Sequence, residues 1–87
     1  MTLHCLVPFC RKTRRGSDEA EEWICPQHFR RVDRRLHGLY NAAHRRATAA
    51  DAAPGPEDTP EKLRAYRLVT WLWRRCVRQA LERGLLH

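Results

Sequence analysis

Cys5 and Cys10, followed after a gap of fourteen residues by Cys25 and His28, are two close pairs of metal-ligating side chains, and they constrain the fold of this 87-residue chain more than any other feature. The pattern C-x4-C, then C-x2-H, has the layout of a structural zinc site, in which four protein atoms enclose one ion. Pro26 stands between the members of the second pair. It has no N–H to lose in the first turn of a helix, so Cys25 reads as the N-cap and His28 as a residue one turn in. Both side chains then face one metal. Ile24 just before the cap and Phe29 beyond it have the spacing of a hydrophobic staple. A core this small commonly needs a metal or a partner to be stable, so Zn²⁺ is the expected cofactor.

Two other readings of the cysteines compete with this one. A disulfide framework would join Cys5 to Cys10 and leave Cys25 for Cys76, yet nothing at the N-terminus has the form of a signal peptide. Independent buried thiols are the other alternative, since free cysteine is a common core residue. A Cys/His cluster in a reducing compartment is more often a metal site, which puts the Cys3His set ahead. His4 competes as a ligand with its neighbour Cys5, which has the better spacing. Cys76 lies far from the cluster in sequence, on an apolar helical face, and is expected to be a packed thiol.

A knuckle carrying two ligands, a short hairpin, and a helix whose first turn supplies the last two resembles a treble-clef zinc finger over about the first half of the chain. The run from Trp23 through Cys25 and His28 to Phe29, leading into a basic helix, is also similar to short arginine-rich zinc-binding proteins of bacterial prophages. With the helical periodicity described next, the expected fold is a small α+β zinc-stabilised domain. It would comprise a zinc knuckle and short β-hairpin followed by two antiparallel α-helices.

The segment from Met1 to Cys10 should be a strand or loop forming the knuckle, with Leu3, Leu6, Val7 and Phe9 as local packing. Arg11 to Glu22 divides into a basic half and an acidic half around Gly16-Ser17, which suggests a hairpin whose arms neutralise each other. Phe29, Val32, Leu36, Leu39, Tyr40, Ala43 and Ala47 recur at three- and four-residue steps, predicting one helix from Pro26 to about Thr48. Residues 1–48 would then form the zinc-binding module with its basic helix. Residues 49–58, with Pro54, Gly55 and Pro56, read as a linker. Residues 59–87 read as a C-terminal amphipathic helix, capped by Thr59, started by Pro60, and packed on the first helix through Leu63, Tyr66, Val69, Leu72, Trp73, Cys76, Val77 and Ala80.

The formal net charge is +7 and the isoelectric point near 10.1; three thiolates and one Zn²⁺ would lower the charge by only one. Such a balance favours a polyanionic partner: nucleic acid, with DNA ahead of RNA, or an acidic protein surface. Arg30, Arg31, Arg34, Arg35 and Arg45 form the basic side of the first helix and are the candidate nucleic-acid contacts. Arg67, Leu68, Trp71, Arg74, Arg75 and Arg78 lie opposite the apolar face of the second helix and are a candidate interface, because tryptophan and arginine dominate interface hot spots. His37, Asn41 and His44 share one side of the first helix, with no acidic metal ligand beside them. No glycine-rich phosphate loop or nucleophilic serine is present, and a four-ligand zinc has no open position for water, so the expectation is a binding module and no enzyme. No apolar run approaches a membrane span, and a cytoplasmic location is expected.

Overall fold

The computed structural model describes residues 1–16, 21–56 and 59–84. Its elements are β1 (Thr2–His4), β2 (Thr13–Arg15), α1 (Pro26–Phe29), α2 (Arg34–Ala52) and α3 (Pro60–Gly84). They fall into two compact units. Met1–Asp33 together with Val77–His87 forms the first, and Arg34–Cys76 the second. This is the expected small α+β arrangement of a two-stranded hairpin followed by helices.

In the first unit β1 and β2 pair antiparallel, with Thr2 opposite Arg15, Leu3 opposite Arg14 and His4 opposite Thr13. The loop of this hairpin is the knuckle itself, and the Cys5 N–H extends the ladder by donating to the Lys12 carbonyl at 3.2 Å. The basic arm therefore pairs with the N-terminal strand and not with the acidic arm expected from the charge pattern. Leu3 supplies the reason, since a strand that buries a leucine is a better partner than a run of glutamates. The expected facing of the two charge runs is seen in the 4.0 Å contact between Arg14 and Glu21, while Ser17, Asp18, Glu19 and Ala20 lie outside the described residues. Leu3, Val7, Ile24, Val32 and Ala80 are buried in this unit. Phe9, expected among them, is 96 % exposed.

The single helix expected from Pro26 to Thr48 is interrupted. It stops at Phe29, turns through Arg30 to Asp33, and restarts at Arg34. Two long-range bonds hold the turn: the Asp33 N–H donates to Gln79 Oε1 at 2.8 Å, and the Arg83 guanidinium donates to the Arg31 carbonyl. Asp33 also precedes the first residue of α2, a position that aspartate favours. The basic side drawn on one continuous helix is consequently divided. Arg30 and Arg31 belong to the turn of the first unit, and Arg34, Arg35 and Arg45 to α2 of the second.

Within the second unit α2 runs on to Ala52, and the chain reverses through Pro54-Gly55-Pro56, with Gly55 at φ 126°. Lys62 Nζ donates to the Ala53 carbonyl at 3.1 Å, satisfying one acceptor past the helix end. Thr59 caps α3 as expected, its Oγ1 accepting from the Lys62 N–H at 3.4 Å. The Tyr40 and Trp73 rings are 5.5 Å apart, and Leu36, Ala43, Leu72 and Cys76 are buried. Leu39, Leu63 and Tyr66, counted from periodicity among the packed residues, are exposed instead. Leu63 and Tyr66 line a cavity of about 560 Å³ with His44, Ala47, Thr48, Asp51, Lys62 and Val69. Near its end α2 offers mostly alanines, whose side chains are too short to cover a leucine and a tyrosine.

Two glycines separate propensity from packing. A Cβ on Gly38, inside α2, would meet nothing within 4 Å, whereas one on Gly84 would lie 2.5 Å from Cγ1 of buried Val7. Gly38→Ala is expected to stabilise the protein by up to about 1 kcal/mol, the propensity difference in a helix interior. Gly84→Ala is expected to destabilise it by about 1–3 kcal/mol through overpacking. Thermal melts of the two variants should shift in opposite directions, and shifts of the same sign would contradict this packing.

Candidate metal centre

Three local devices bring the ligands together. The knuckle closes through a turn in which the Cys10 N–H donates to the Val7 carbonyl at 3.2 Å. Pro8 at the second position and Phe9 with φ 67° at the third are the marks of a type II turn. The Leu6 N–H donates to the Trp23 carbonyl at 3.0 Å, laying the chain before α1 alongside the knuckle. Cys25 is the N-cap of α1 with extended backbone (φ −63°, ψ 154°) and Pro26 follows as its first residue, so His28 comes round on the first turn.

As a result the ligand atoms of Cys5, Cys10, Cys25 and His28 all lie within 4.8 Å of one another. Cys10 Sγ and Cys25 Sγ are 3.8 Å apart, Cys5 Sγ and His28 Nδ1 3.7 Å, and Cys25 Sγ and His28 Nδ1 3.1 Å. Tetrahedral bonds of 2.3 Å to sulfur and about 2.0 Å to nitrogen imply edges of about 3.8 Å between sulfurs and about 3.5 Å between sulfur and nitrogen. The residues present fit a single metal ion. The disulfide alternative does not hold, because all four cysteines are free. His4 lies in β1 outside the cluster, and Cys76 is fully buried in the second unit, as expected of a packed thiol.

The electrostatics suit the same task. Burial pushes the Cys5 thiol up, although the Cys25 N–H donates to its sulfur at 3.3 Å. Burial acts on Cys25 as well, but hydrogen bonds from the His28 backbone and from the Cys10 and Cys5 thiols outweigh it and bring that thiol down. Cys25 is therefore readier than Cys5 to ionise. Burial, then the charges of Arg31 and Lys12, lower His28 from its ordinary value and keep the neutral imidazole that a metal requires.

The other sequence-predicted residues are more scattered. Arg30, Arg34, Arg35 and Arg45 are exposed, and Arg31 is partly buried. On α3, Leu68 is 44 % and Trp71 54 % exposed, with the Arg75 guanidinium 5.0 Å from the centre of the Trp71 ring. Arg67, Arg74, Arg75 and Arg78 are exposed, and Arg78 pairs with Glu82 at 3.5 Å. Sequence reasoning missed Phe9, whose signal was Pro8 before it in a six-residue knuckle, the mark of a turn that displays its third residue.

Searches found no matching family model, curated protein or solved structure. The metal site is tested directly. Purified protein should carry one ion per chain; a chelator, or Cys10→Ser or Cys25→Ser, should remove it and unfold the first unit, while Cys76→Ser retains it. Because folded His28 titrates below its unfolded value of about 6.5, the unfolded chain binds the extra proton first. Stability should fall as the pH drops through that window towards the lowered value. A natively folded, metal-free sample with all four thiols open to titration would refute the site.

Proposed function

We propose that this protein is a zinc-dependent binding module whose arginines engage the phosphates of nucleic acid, with DNA as the first candidate and regulation by occupancy as the role. A tetrahedral thiolate and imidazole set is the preferred donor set of Zn²⁺, and the ion would supply fold stability. With four protein ligands the coordination shell is complete, which supports binding over catalysis. Cys25 and His28 would hold the helical side of the ion and Cys5 and Cys10 the knuckle side.

The observation that carries this reading is the sign of the charge on α2. Arg34, Arg35, Arg45 and Arg46 are all exposed, no acidic residue lies in the first turn, and Asp51 is the helix's one carboxylate. Arg34 and Arg35 stand at the positive end of the helix dipole, where Asp33 supplies one carboxylate against their two charges, and a phosphate placed there would add a favourable interaction of its own with both the arginines and the dipole. Among the described residues no helix is long and apolar enough to cross a membrane.

A second reading rests on Leu68 and Trp71, whose exposed apolar surface beside Arg67, Arg74 and Arg75 suits an acidic protein surface.

For the first reading, duplex DNA affinity should fall steeply with salt, and Arg30→Ala, Arg34→Ala and Arg45→Ala should each reduce the logarithmic slope by about one. Undetectable binding at low salt, or indifference to all three substitutions, would favour the second. For that reading, Trp71→Ala should weaken partner binding or self-association by about 2 kcal/mol or more while leaving the melting temperature unchanged. Trp73→Ala, which removes the ring facing Tyr40, should lower the melting temperature instead; equal destabilisation by both would show that Trp71 is structural.

A further inference from the structure

Phe9 combines three properties that folding alone does not explain. It sits at the third position of the knuckle turn with φ 67°, where glycine or asparagine is favoured and a bulky residue is strained. It is 96 % exposed, so its ring returns almost nothing to the core. The backbone on both sides is held, by the Cys10–Val7 bond within the turn and by the two cysteines of the candidate metal centre, which fixes the point from which the ring projects. Strain at a rigid, exposed aromatic is the form that a functional contact takes.

The surroundings decide which contact. Arg11, Lys12, Arg14 and Arg15 follow the knuckle immediately, and all four are exposed. Lys12 Nζ is held by Gln27 Oε1 at 2.7 Å, and Arg14 meets Glu21 only at 4.0 Å. An exposed aromatic followed directly along the chain by a row of exposed cations matches a strand of alternating flat bases and phosphates, and stacking on exposed aromatics requires bases that are not already stacked in a duplex. We propose that Phe9 is a stacking platform for an unpaired base of single-stranded nucleic acid, with the adjoining phosphates along Arg11, Lys12, Arg14 and Arg15. The inference rests on the nucleic-acid reading above and deepens it: the arginines of the turn and α2 supply phosphate affinity on any strand, and the knuckle selects single strands.

The test compares a short oligothymidine, a blunt duplex and phosphatidylserine–phosphatidylcholine vesicles as probes for the zinc-loaded full chain. Phe9→Gly relieves the backbone strain, so it should keep one zinc per chain and melt no lower than the parent. Its affinity for the oligothymidine should nevertheless fall roughly tenfold or more, while duplex affinity and its salt slope stay unchanged. Phe9→Trp should retain oligothymidine binding. Unchanged oligothymidine affinity in Phe9→Gly, with duplex binding intact and sensitive to Arg34→Ala, would overturn this inference alone. Equal losses on both nucleic acids would also overturn it, by showing that the residue has no preference for single strands. Phe9-dependent binding to vesicles without oligothymidine binding would assign the ring to a lipid surface instead, and absence of binding to either nucleic acid would overturn the phosphate reading together with this one.

Discussion

Convergence of four ligand atoms within 4.8 Å of one another is the constraint on which the first unit depends. Its aliphatic core is short: Leu3, Val7, Ile24 and Val32 contribute about 1.5–3 kcal/mol each on burial. A metal ion held by the four groups would add to that core; a structural zinc in a zinc-finger peptide contributes roughly 10–16 kcal/mol. β1 and β2 are three residues each, too short to persist as an isolated hairpin, and α1 is a single turn. Each has its place because a ligand is attached to it: Cys5 and Cys10 lie in the loop of the hairpin, and Cys25 and His28 cap and occupy the helix.

The ligand set was legible in the sequence because cysteine spacing and the Cys-Pro-x-His helix start are local properties. The break at residues 30–33 was not. Arg30 keeps near-helical backbone angles (φ −64°, ψ −21°), and Val32 falls in step with Leu36, so the apolar rhythm passes through the interruption unaltered. What stops the helix is distant: Gln79 and Arg83, some fifty positions away, take the backbone N–H of Asp33 and the carbonyl of Arg31. Periodicity reports which residues are apolar, and carries no information about such bonds.

The same limit explains the apolar residues placed wrongly. Phe9 was counted with the packing residues because phenylalanine is usually buried, yet its turn geometry faces it outward. Leu63 and Tyr66 belong to the same run of three- and four-residue steps as Leu72 and Cys76, yet at 100° per residue Leu63 stands about 180° and Tyr66 about 120° round α3 from Leu72; both remain exposed, and the end of α2 is mostly alanine. Trp71 and Trp73, only two positions apart, were separated correctly by helical phase. A turn of some 200° between them puts Trp73 near Tyr40 and leaves Trp71 exposed beside Arg75.

The bonds from Gln79 and Arg83 to the turn at Asp33 and Arg31 also have a meaning for the order of synthesis. The metal-ligating unit is discontinuous in sequence, and Arg34–Cys76 is, in connectivity, an insertion within it. A nascent chain that has exposed all four ligands still lacks the segment that closes the unit, so ion capture can precede completion of the fold by the time needed to translate some fifty residues, several seconds at about 5–20 residues per second. During that interval the cluster would be held by its own knuckle and single helical turn. The helical hairpin between Arg34 and Cys76 could change in length with little penalty to the ligands, because the entropy of closing a loop grows only logarithmically with its size.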